Sequence, residues 1–226
     1  MVRSLTIAVA LTLACTYRSQ MPEDAAVVSR SPRSAVSTLR VALLHNGEIR
    51  DAAVSEGGFA TSVVRVRIGV YPAVFGSVQE ELTVLLGSVD PIETLEGASG
   101  YDLFAHFDYR HEKMYADYAK VRLSYRTELR LALRDFDTGE LVGVYAHCDW
   151  VVYQGKHLPL IVFLARPQEE TDRIGHGVER LVEDVIRRSV SRVGRSIEAD
   201  PMLKLYANGE WTPRRHTTEL GTCEPR

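Results

Sequence analysis

The residues of this chain that could hold a metal ion lie close together in its middle part. His106 and Asp108 are two positions apart, and His111 and Glu112 follow shortly after them. Imidazole nitrogens and carboxylate oxygens are ligands that zinc takes in proteins. On a strand, however, His106 and Asp108 share one face and His111 lies at or beyond the strand end. The pattern therefore fits polar residues on a solvated sheet face, and we predict no metal and no cofactor.

No nucleotide-binding or nucleophile motif occurs in the chain. The patterns G-x-x-x-x-G-K-[ST], G-x-G-x-x-G after a strand, G-x-S-x-G and H-E-x-x-H are all absent. The formal net charge of -3 argues against general nucleic-acid binding, which needs an excess of basic residues. We predict that the protein is not an enzyme. The alternative is a secreted or lipid-tethered hydrolase with a dispersed active site, for which His106, Asp108 and His111 are the first candidates.

A row of arginines is the stronger candidate for a binding surface. Residues four apart on a strand lie on one face, about 13 Å apart, and such a row could bind anionic lipid headgroups, lipopolysaccharide phosphates or an acidic partner. The alternative is a solvated face that is neutralised by Glu128 and nearby acids and whose charge protects the sheet from aggregation. The row consists of Arg122, Arg126, Arg130 and Arg134.

The first fifteen residues indicate export. Arg3 precedes an apolar run of about ten residues, half the length that a membrane-spanning helix needs, as is typical of a secretory signal peptide. The stretch from Leu11 to Cys15 resembles a bacterial lipoprotein signal, in which the mature chain begins with an acylated cysteine. We predict a signal peptide over residues 1–14 and lipidation of Cys15; the alternative is an ordinary secretory signal that is cut elsewhere. The absence of an early aspartate after Cys15 implies, by the same resemblance, release to the outer membrane.

Two cysteines remain once Cys15 is assigned to lipid. Cys148 and Cys223 could pair in an oxidising compartment, but Cys148 falls in a predicted strand and Cys223 in a polar tail. Two unpaired thiols are therefore an equally good interpretation. Neither cysteine has the C-x-x-C spacing of a zinc site.

The periodicity of the sequence predicts an α+β fold. Residues 15–38 are polar and contain proline and serine, which predicts a flexible tether. An α+β domain follows over residues 39–199, and residues 200–226 form a tail of little order. We predict a two-layer sandwich in which two helices cover one face of a mainly antiparallel sheet. Its strands are expected at 39–45, 63–70, 101–109, 121–134 and 141–153, and its helices at 73–89 and 169–197.

Two details of the domain bear on function. The last strand is expected to bury the even-numbered residues from Val142 to Val152, with Trp150 among them. The uncharged stretch from Leu158 to Ala165 is interpreted as a buried or edge strand, or else as an apolar loop that touches a membrane or partner. His176 and Glu179 have helical spacing without a third ligand, and we expect them on the surface.

The layout resembles that of small envelope lipoproteins, namely YajG-type lipoproteins and the lipopolysaccharide-assembly lipoprotein that plugs an outer-membrane translocon. The segments that carry the likeness are Gly100–Ala105, Thr127–Glu140 and the long final helix, together with Cys15. The resemblance implies a non-catalytic accessory protein and transfers no catalytic residue. We therefore expect a membrane-anchored binding or assembly module that faces the periplasm. Its expected partners are the membrane, through the lipid, and an envelope protein or an anionic amphiphile.

Overall fold

The computed structural model describes residues 13–26, 35–36, 38–45, 52–59, 62–117, 122–154 and 167–212. Within this part, eight strands and three helices follow one another along the chain. The strands are β1 (Leu13–Gln20), β2 (Leu39–Leu44), β3 (Ala52–Phe59), β4 (Ser62–Gly69), β5 (Gly87–Ile92), β6 (Leu103–Asp117), β7 (Arg122–Asp135) and β8 (Leu141–Gln154). The helices are α1 (Tyr71–Leu86), α2 (Pro167–Ala199) and α3 (Pro201–Ala207).

The main sheet has five strands in the order β5-β2-β6-β7-β8. Strand β2 runs parallel to β5 and β6, whereas β6, β7 and β8 pair antiparallel in long hairpins. Helices α1 and α2 pack on one face of this sheet, which we call the inner face. The predicted α+β sandwich is thereby confirmed. A second sheet of three strands, β1-β4-β3, was not predicted.

The core lies between the inner face and the two helices. Alternate residues of β6 and β7 point inward, so that Phe107 and Leu131 are almost fully buried. Helix α2 contributes one apolar stripe with the spacing of a surface helix. Its buried members are Ile174, Val178, Val182, Val185, Ile186, Val190, Val193 and Ile197.

The predicted tether is wrong over its first part, because residues 13–26 belong to the folded domain. Strand β1 pairs in parallel with β4 along all eight of its residues. Tyr17, Met21 and Ala26 are buried in the same core as the helices. The small polar side chains of this segment do not prevent a strand, since its partners lie far away along the chain. The domain therefore begins well before the predicted boundary at residue 39.

Two glycines let the N-terminal segment pack closely against both helices. The Tyr17 ring lies against Gly175 of α2, where a Cβ atom would overlap the ring. The Glu23 carbonyl oxygen lies 2.5 Å from the place of a Cβ on Gly76 of α1. Tyr17 also donates a hydrogen bond of 2.5 Å to the Glu179 carboxylate. Gly175 does not interrupt α2, although glycine weakens helices in general.

The boundaries of two further elements also differ from the prediction. Helix α1 ends at Leu86, where Gly87 adopts a φ of 112° and the chain enters β5. After α2, Asp200 accepts hydrogen bonds from the backbone of Met202 and Leu203 and begins the short helix α3, which has Pro201 in its first turn. Leu203 is fully buried. The prediction of a tail of little order is therefore wrong for residues 200–212, and residues 213–226 lie outside the described part.

We expect Gly175→Ala to destabilise the protein. An alanine favours an isolated helix by about 1 kcal/mol over glycine, but here its methyl group would overlap the buried Tyr17 ring, and overpacking typically costs about 1–3 kcal/mol. Urea unfolding of the two proteins measures the difference. In a Tyr17→Ala background the same change should stabilise, because the ring is gone. Destabilisation of equal size in both backgrounds would contradict the proposed contact.

Candidate functional site

The face of the main sheet that is turned away from α2 carries the arginine row. We call it the outer face and define it by the even-numbered residues 104–110, 126–134 and 144–152 of β6, β7 and β8. Among the described helices, α2 makes most of the contacts to β7 and β8. Arg126, Arg130 and Arg134 lie on it, and the backbone of Arg122 continues the series; the side chain of Arg122 lies outside the described residues.

Acidic residues interrupt the positive charge of this face. Arg126 lies 3.9 Å from the Glu128 carboxylate on the same strand, and Asp108 stands opposite Arg130 in the register. Arg134 donates a hydrogen bond of 2.9 Å to the Gly139 carbonyl. The outer face is therefore a mosaic of both signs. Such a surface favours direct pairing between the anionic groups of a ligand and individual arginines over a general electrostatic attraction.

Two large apolar side chains are exposed beside these charges. Trp150 and Val152 of β8 each have 45% of their surface exposed, and Trp150 pairs with Arg126. The expectation that they are buried is wrong. A register shift between β7 and β8 occurs next to Gly143, and from there the odd-numbered residues, including the buried Tyr145 and Val151, point inward.

The expected histidine and aspartate cluster is divided by the sheet. His106 and Asp108 lie on the outer face, whereas His111, an odd-numbered residue of β6, lies on the inner face. The side chain of Glu112 lies outside the described residues. No group of three or more histidine, cysteine, aspartate or glutamate residues in the described part could hold a metal ion.

Burial alters the titration of these histidines. Desolvation lowers the pKa of His111 to about 4. It also lowers the pKa of His106, with a further contribution from the charges of Arg134 and Arg130. Both imidazoles are thereby biased toward the neutral form, in the same direction. Nothing in this arrangement resembles an acid and a base whose pKa values are pushed apart.

Cys148 lies on the outer face and is disulfide-bonded. It stands opposite Glu128, so that Arg126 and Arg130 are its diagonal neighbours on β7. The interpretation of Cys148 as an unpaired thiol is wrong. The chain has two other cysteines, Cys15 and Cys223, whose side chains lie outside the described part.

The predicted lipidation site lies at the start of β1. The backbone of Cys15 pairs with Val64, two residues before the buried Tyr17. His176, expected on the surface, is exposed, and its ring lies 5.1 Å from that of Tyr17. Glu179 is half-buried and holds the Tyr17 hydroxyl. The pairing of Tyr17 with Gly175 and Glu179 was not predicted; its one sequence signal is a glycine inside an otherwise regular apolar stripe.

Other sequence-based predictions lie outside the described residues. These are most of the signal peptide, residues 1–12, and the apolar stretch from Leu158 to Ala165. In the part of the chain that is described, no helix combines the length and the apolar character needed to cross a membrane.

Several solved structures are similar to this chain in general layout. One is a homolog of neuraminyllactose-binding hemagglutinin from Helicobacter pylori, with 10% identity and a TM-score of 0.47 over 84% of this chain and 98% of that one. A minor lipoprotein from Acinetobacter baumannii has 13% identity and a TM-score of 0.39 over 71% and 90%. An uncharacterized lipoprotein B from Nitrosomonas europaea has 13% identity and a TM-score of 0.39 over 79% and 96%.

Two of these three proteins are bacterial lipoproteins by name. No protein-family model matches the chain, and no curated protein matches it. At these identities and TM-scores the likeness carries no information on a binding site or an activity.

We expect the stability of the protein to fall as the pH decreases from 6.5 toward 4. The unfolded chain protonates His111 near the ordinary histidine pKa of about 6.5, whereas the folded state keeps it neutral down to about 4. The unfolded state then binds more protons, and the free energy of unfolding decreases by up to about 1.4 kcal/mol per pH unit for one such group. Urea unfolding of the protein and of His111→Gln between pH 7 and 4.5 measures this slope. The variant should have the smaller slope; equal slopes would refute the assignment.

Proposed function

We propose that the protein is a bacterial envelope lipoprotein, anchored through an acylated Cys15 at the outer membrane and facing the periplasm. It acts as a non-catalytic binding or assembly module, and its outer face recognises an anionic group. That group belongs to an envelope protein with acidic side chains or to an anionic amphiphile. The shared chemistry is a carboxylate or a phosphate, for which the planar guanidinium of arginine is well suited.

The packing of Tyr17 is the main observation in support of the anchoring proposal. Cleavage before Cys15 would remove only the first two residues of β1 and leave the pairing from residue 15 onward. Two extended residues span about 7 Å, and Tyr17 is fixed on Gly175. Acyl chains on Cys15 would therefore hold the domain directly at the bilayer surface. The anchor positions the domain and does not merely restrict its diffusion.

Acylation would also make the attachment durable. Each methylene that is buried in the bilayer contributes about 0.8 kcal/mol, and more than one chain is needed for stable anchoring. Attachment through these chains depends on the cysteine, and this makes the proposal sharply testable.

The outer face supports the binding part of the proposal. Arg126 pairs in register with the exposed Trp150, and Arg130 is exposed four residues further along β7. Exposed tryptophan and arginine are the residues enriched where proteins bind their partners. The sheet lies between His111 and the pair of His106 and Asp108, which argues against a joint catalytic site of these three residues. That separation supports a non-catalytic role.

Metabolic labelling with an alkyne fatty acid tests the anchor. We expect label on the protein and its recovery with outer membranes, and we expect both to be lost in Cys15→Ser. The sulfur of Cys15 is the only atom exchanged, so the fold should persist. Cys223→Ser is the matched control and should keep the label. An unlabelled wild-type protein would refute the anchor.

Charge reversal on β7 tests the binding face. We expect Arg126→Glu together with Arg130→Glu to abolish binding to vesicles that contain an anionic phospholipid, or to acidic envelope proteins captured by crosslinking. The two substitutions are also tested one at a time. Arg180→Glu, at an exposed position on α2, is the control for each single variant because it changes the charge by the same amount. Loss with vesicles alone identifies an amphiphile, and loss of the crosslinks alone identifies a protein partner. Unchanged binding in both assays would contradict the proposal.

A further inference from the structure

Helix α2 carries a second group of arginines, which lies on the other side of the main sheet from Arg126 and Arg130. We propose that Arg192 and Arg195 of α2, together with His147 of β8, bind the phosphate group of a phosphomonoester. We call these three residues the α2 site. The inference goes beyond the proposed function, because the α2 site and the outer face are separated by the sheet.

Two contacts fix the place where α2 crosses β8. The Asp149 carboxylate lies 3.2 Å from Nε of Arg188, and the Tyr145 hydroxyl donates a hydrogen bond of 2.7 Å to Asp200. His147 is midway between the two contact points on β8. The midpoint between the corresponding positions on α2 falls between the two arginines of the α2 site. His147 and these arginines therefore lie at the same level of the structure.

The side chain of His147 points toward α2. His147 is an odd-numbered residue beyond the register shift in β8, like the buried Tyr145 and Val151. Its partner on β7 is Leu129, which is apolar and buried. The charged neighbours of the imidazole in the described part therefore come from α2 and from β8 itself. The ring is half-buried, so that one part of it stays accessible to a ligand.

The spacing of the arginines concentrates positive charge on one face of α2. Arg188, Arg192 and Arg195 follow one another at intervals of four and three residues, and like charges at such intervals destabilise a helix. The helix dipole favours cations only within the last turn, and the last turn of α2 contains no basic residue. Neither helix formation nor the dipole accounts for this cluster. A bound anion would relieve the repulsion.

The acidic residue nearest to this face is already engaged. One oxygen of the Asp149 carboxylate pairs with Arg188, and the other accepts a hydrogen bond of 2.9 Å from the backbone N–H of Trp150. Arg192 and Arg195 are exposed, and neither forms an ion pair with a carboxylate within the described residues. Both guanidinium groups are therefore available to an anion from solution.

The electrostatics of His147 support the same arrangement. Burial lowers the pKa of His147, the carboxylate of Asp149 acts in the opposite direction, and the charges of Arg192, Arg188 and Arg195 lower this pKa further. Three guanidinium groups thus act on one imidazole, in agreement with their level on α2. An anion bound among them would favour the protonated imidazole, which then donates a hydrogen bond to it.

A phosphomonoester matches the groups of the α2 site in charge and in number of acceptors. It carries a charge of about -1.5 to -2 at neutral pH and three terminal oxygens. Two guanidinium groups balance this charge and can each bind a pair of oxygens, and the imidazole N–H is a further donor. A carboxylate has one negative charge and would leave one arginine without a counter-ion.

Titration with inorganic phosphate at low ionic strength, followed by nuclear magnetic resonance of the histidine rings, tests the site in the whole protein. We expect a saturable shift of the His147 signals. The affinity should fall about tenfold in Arg192→Gln and in Arg195→Gln, as expected for the loss of a hydrogen bond to a charged group. Arg180→Gln, at an exposed position on the same helix, is the matched control and should keep the affinity. Equal losses in all three variants, or no saturable shift, would refute the site.

The same titration separates this inference from the proposed function. The double variant Arg126→Glu and Arg130→Glu should still show the phosphate-dependent shift of His147, because both substitutions lie on the other side of the sheet. Loss of the shift in this variant, with the affinity of the α2 variants unchanged, would place the phosphate on the outer face and overturn the inference. Loss of vesicle binding in the double variant has no bearing on the α2 site.

The pH dependence of sulfate binding tests the part of His147, since sulfate remains a dianion throughout the histidine range. Between pH 7.5 and 5.5, around the ordinary histidine pKa of about 6.5, we expect the affinity to rise as the pH falls. The bound anion raises the pKa of His147, so that the complex takes up a proton. His147→Gln should bind sulfate with little dependence on pH. A wild-type affinity that does not change with pH would contradict the assignment of His147.

Competition with inorganic phosphate distinguishes two sources of the phosphomonoester. The competitors are methyl phosphate and a short-chain phosphatidic acid, which share the phosphate group and differ in the acyl chains. Equal competition by both supports a small phosphorylated molecule as the ligand, and stronger competition by the lipid supports a phospholipid headgroup. If neither compound displaces inorganic phosphate, the site does not accept a monoester and the inference is wrong.

Discussion

The packing of β1 on α2 is the contact on which the arrangement of the molecule depends. The Tyr17 ring lies on Gly175 and its hydroxyl binds Glu179, so that one side chain fixes both the position and the direction of the N-terminal strand. The same strand completes the small sheet through β4, and β4 leads directly into α1. A segment with the composition of a linker is therefore a structural element of the core. Its consequence for function is that an anchor on Cys15 would be joined rigidly to the domain.

The hairpins of β6, β7 and β8 give the main sheet two faces of different character. The inner face supplies Phe107, Leu131 and their neighbours to the core, while the outer face carries charges in cross-strand register. The register shift beside Gly143 exchanges the two faces along β8, and the Tyr145 hydroxyl, which comes close to Gly143, donates a hydrogen bond to Asp200 at the end of α2. One irregular position thus determines that Trp150 is exposed.

The alternation in β6 and β7 and the apolar stripe of α2 could be predicted because each is a local, periodic pattern. Strand β1 could not, since its decisive partner, Gly175, lies 158 residues away and leaves no periodic trace. Strand β5 follows α1 without a loop. Because Val89 fits the apolar spacing of the preceding helix, the pattern extended the predicted helix to residue 89, which lies in β5. That Arg126, Arg130 and Arg134 share a face follows from counting residues along one strand. The acidic neighbours on β6 and the disulfide beside them depend on the strand register, which single-strand patterns do not contain.

The level of each element along α2 also decides which forces would act on the domain if Cys15 were anchored in a membrane. Asp149 pairs with Arg188, and Tyr145 with Asp200, so that β8 runs antiparallel to α2. Tyr17 lies near the start of α2, and the acidic turn between β7 and β8 lies near its end. Gly175 and Asp200 are 25 residues apart, which separates these ends by about 38 Å along the helix axis, far more than the Debye length of about 8 Å at physiological salt. Repulsion between the acidic turn and a bilayer at Cys15 would be screened, and the packing of Tyr17 on Gly175 would set the orientation of the domain.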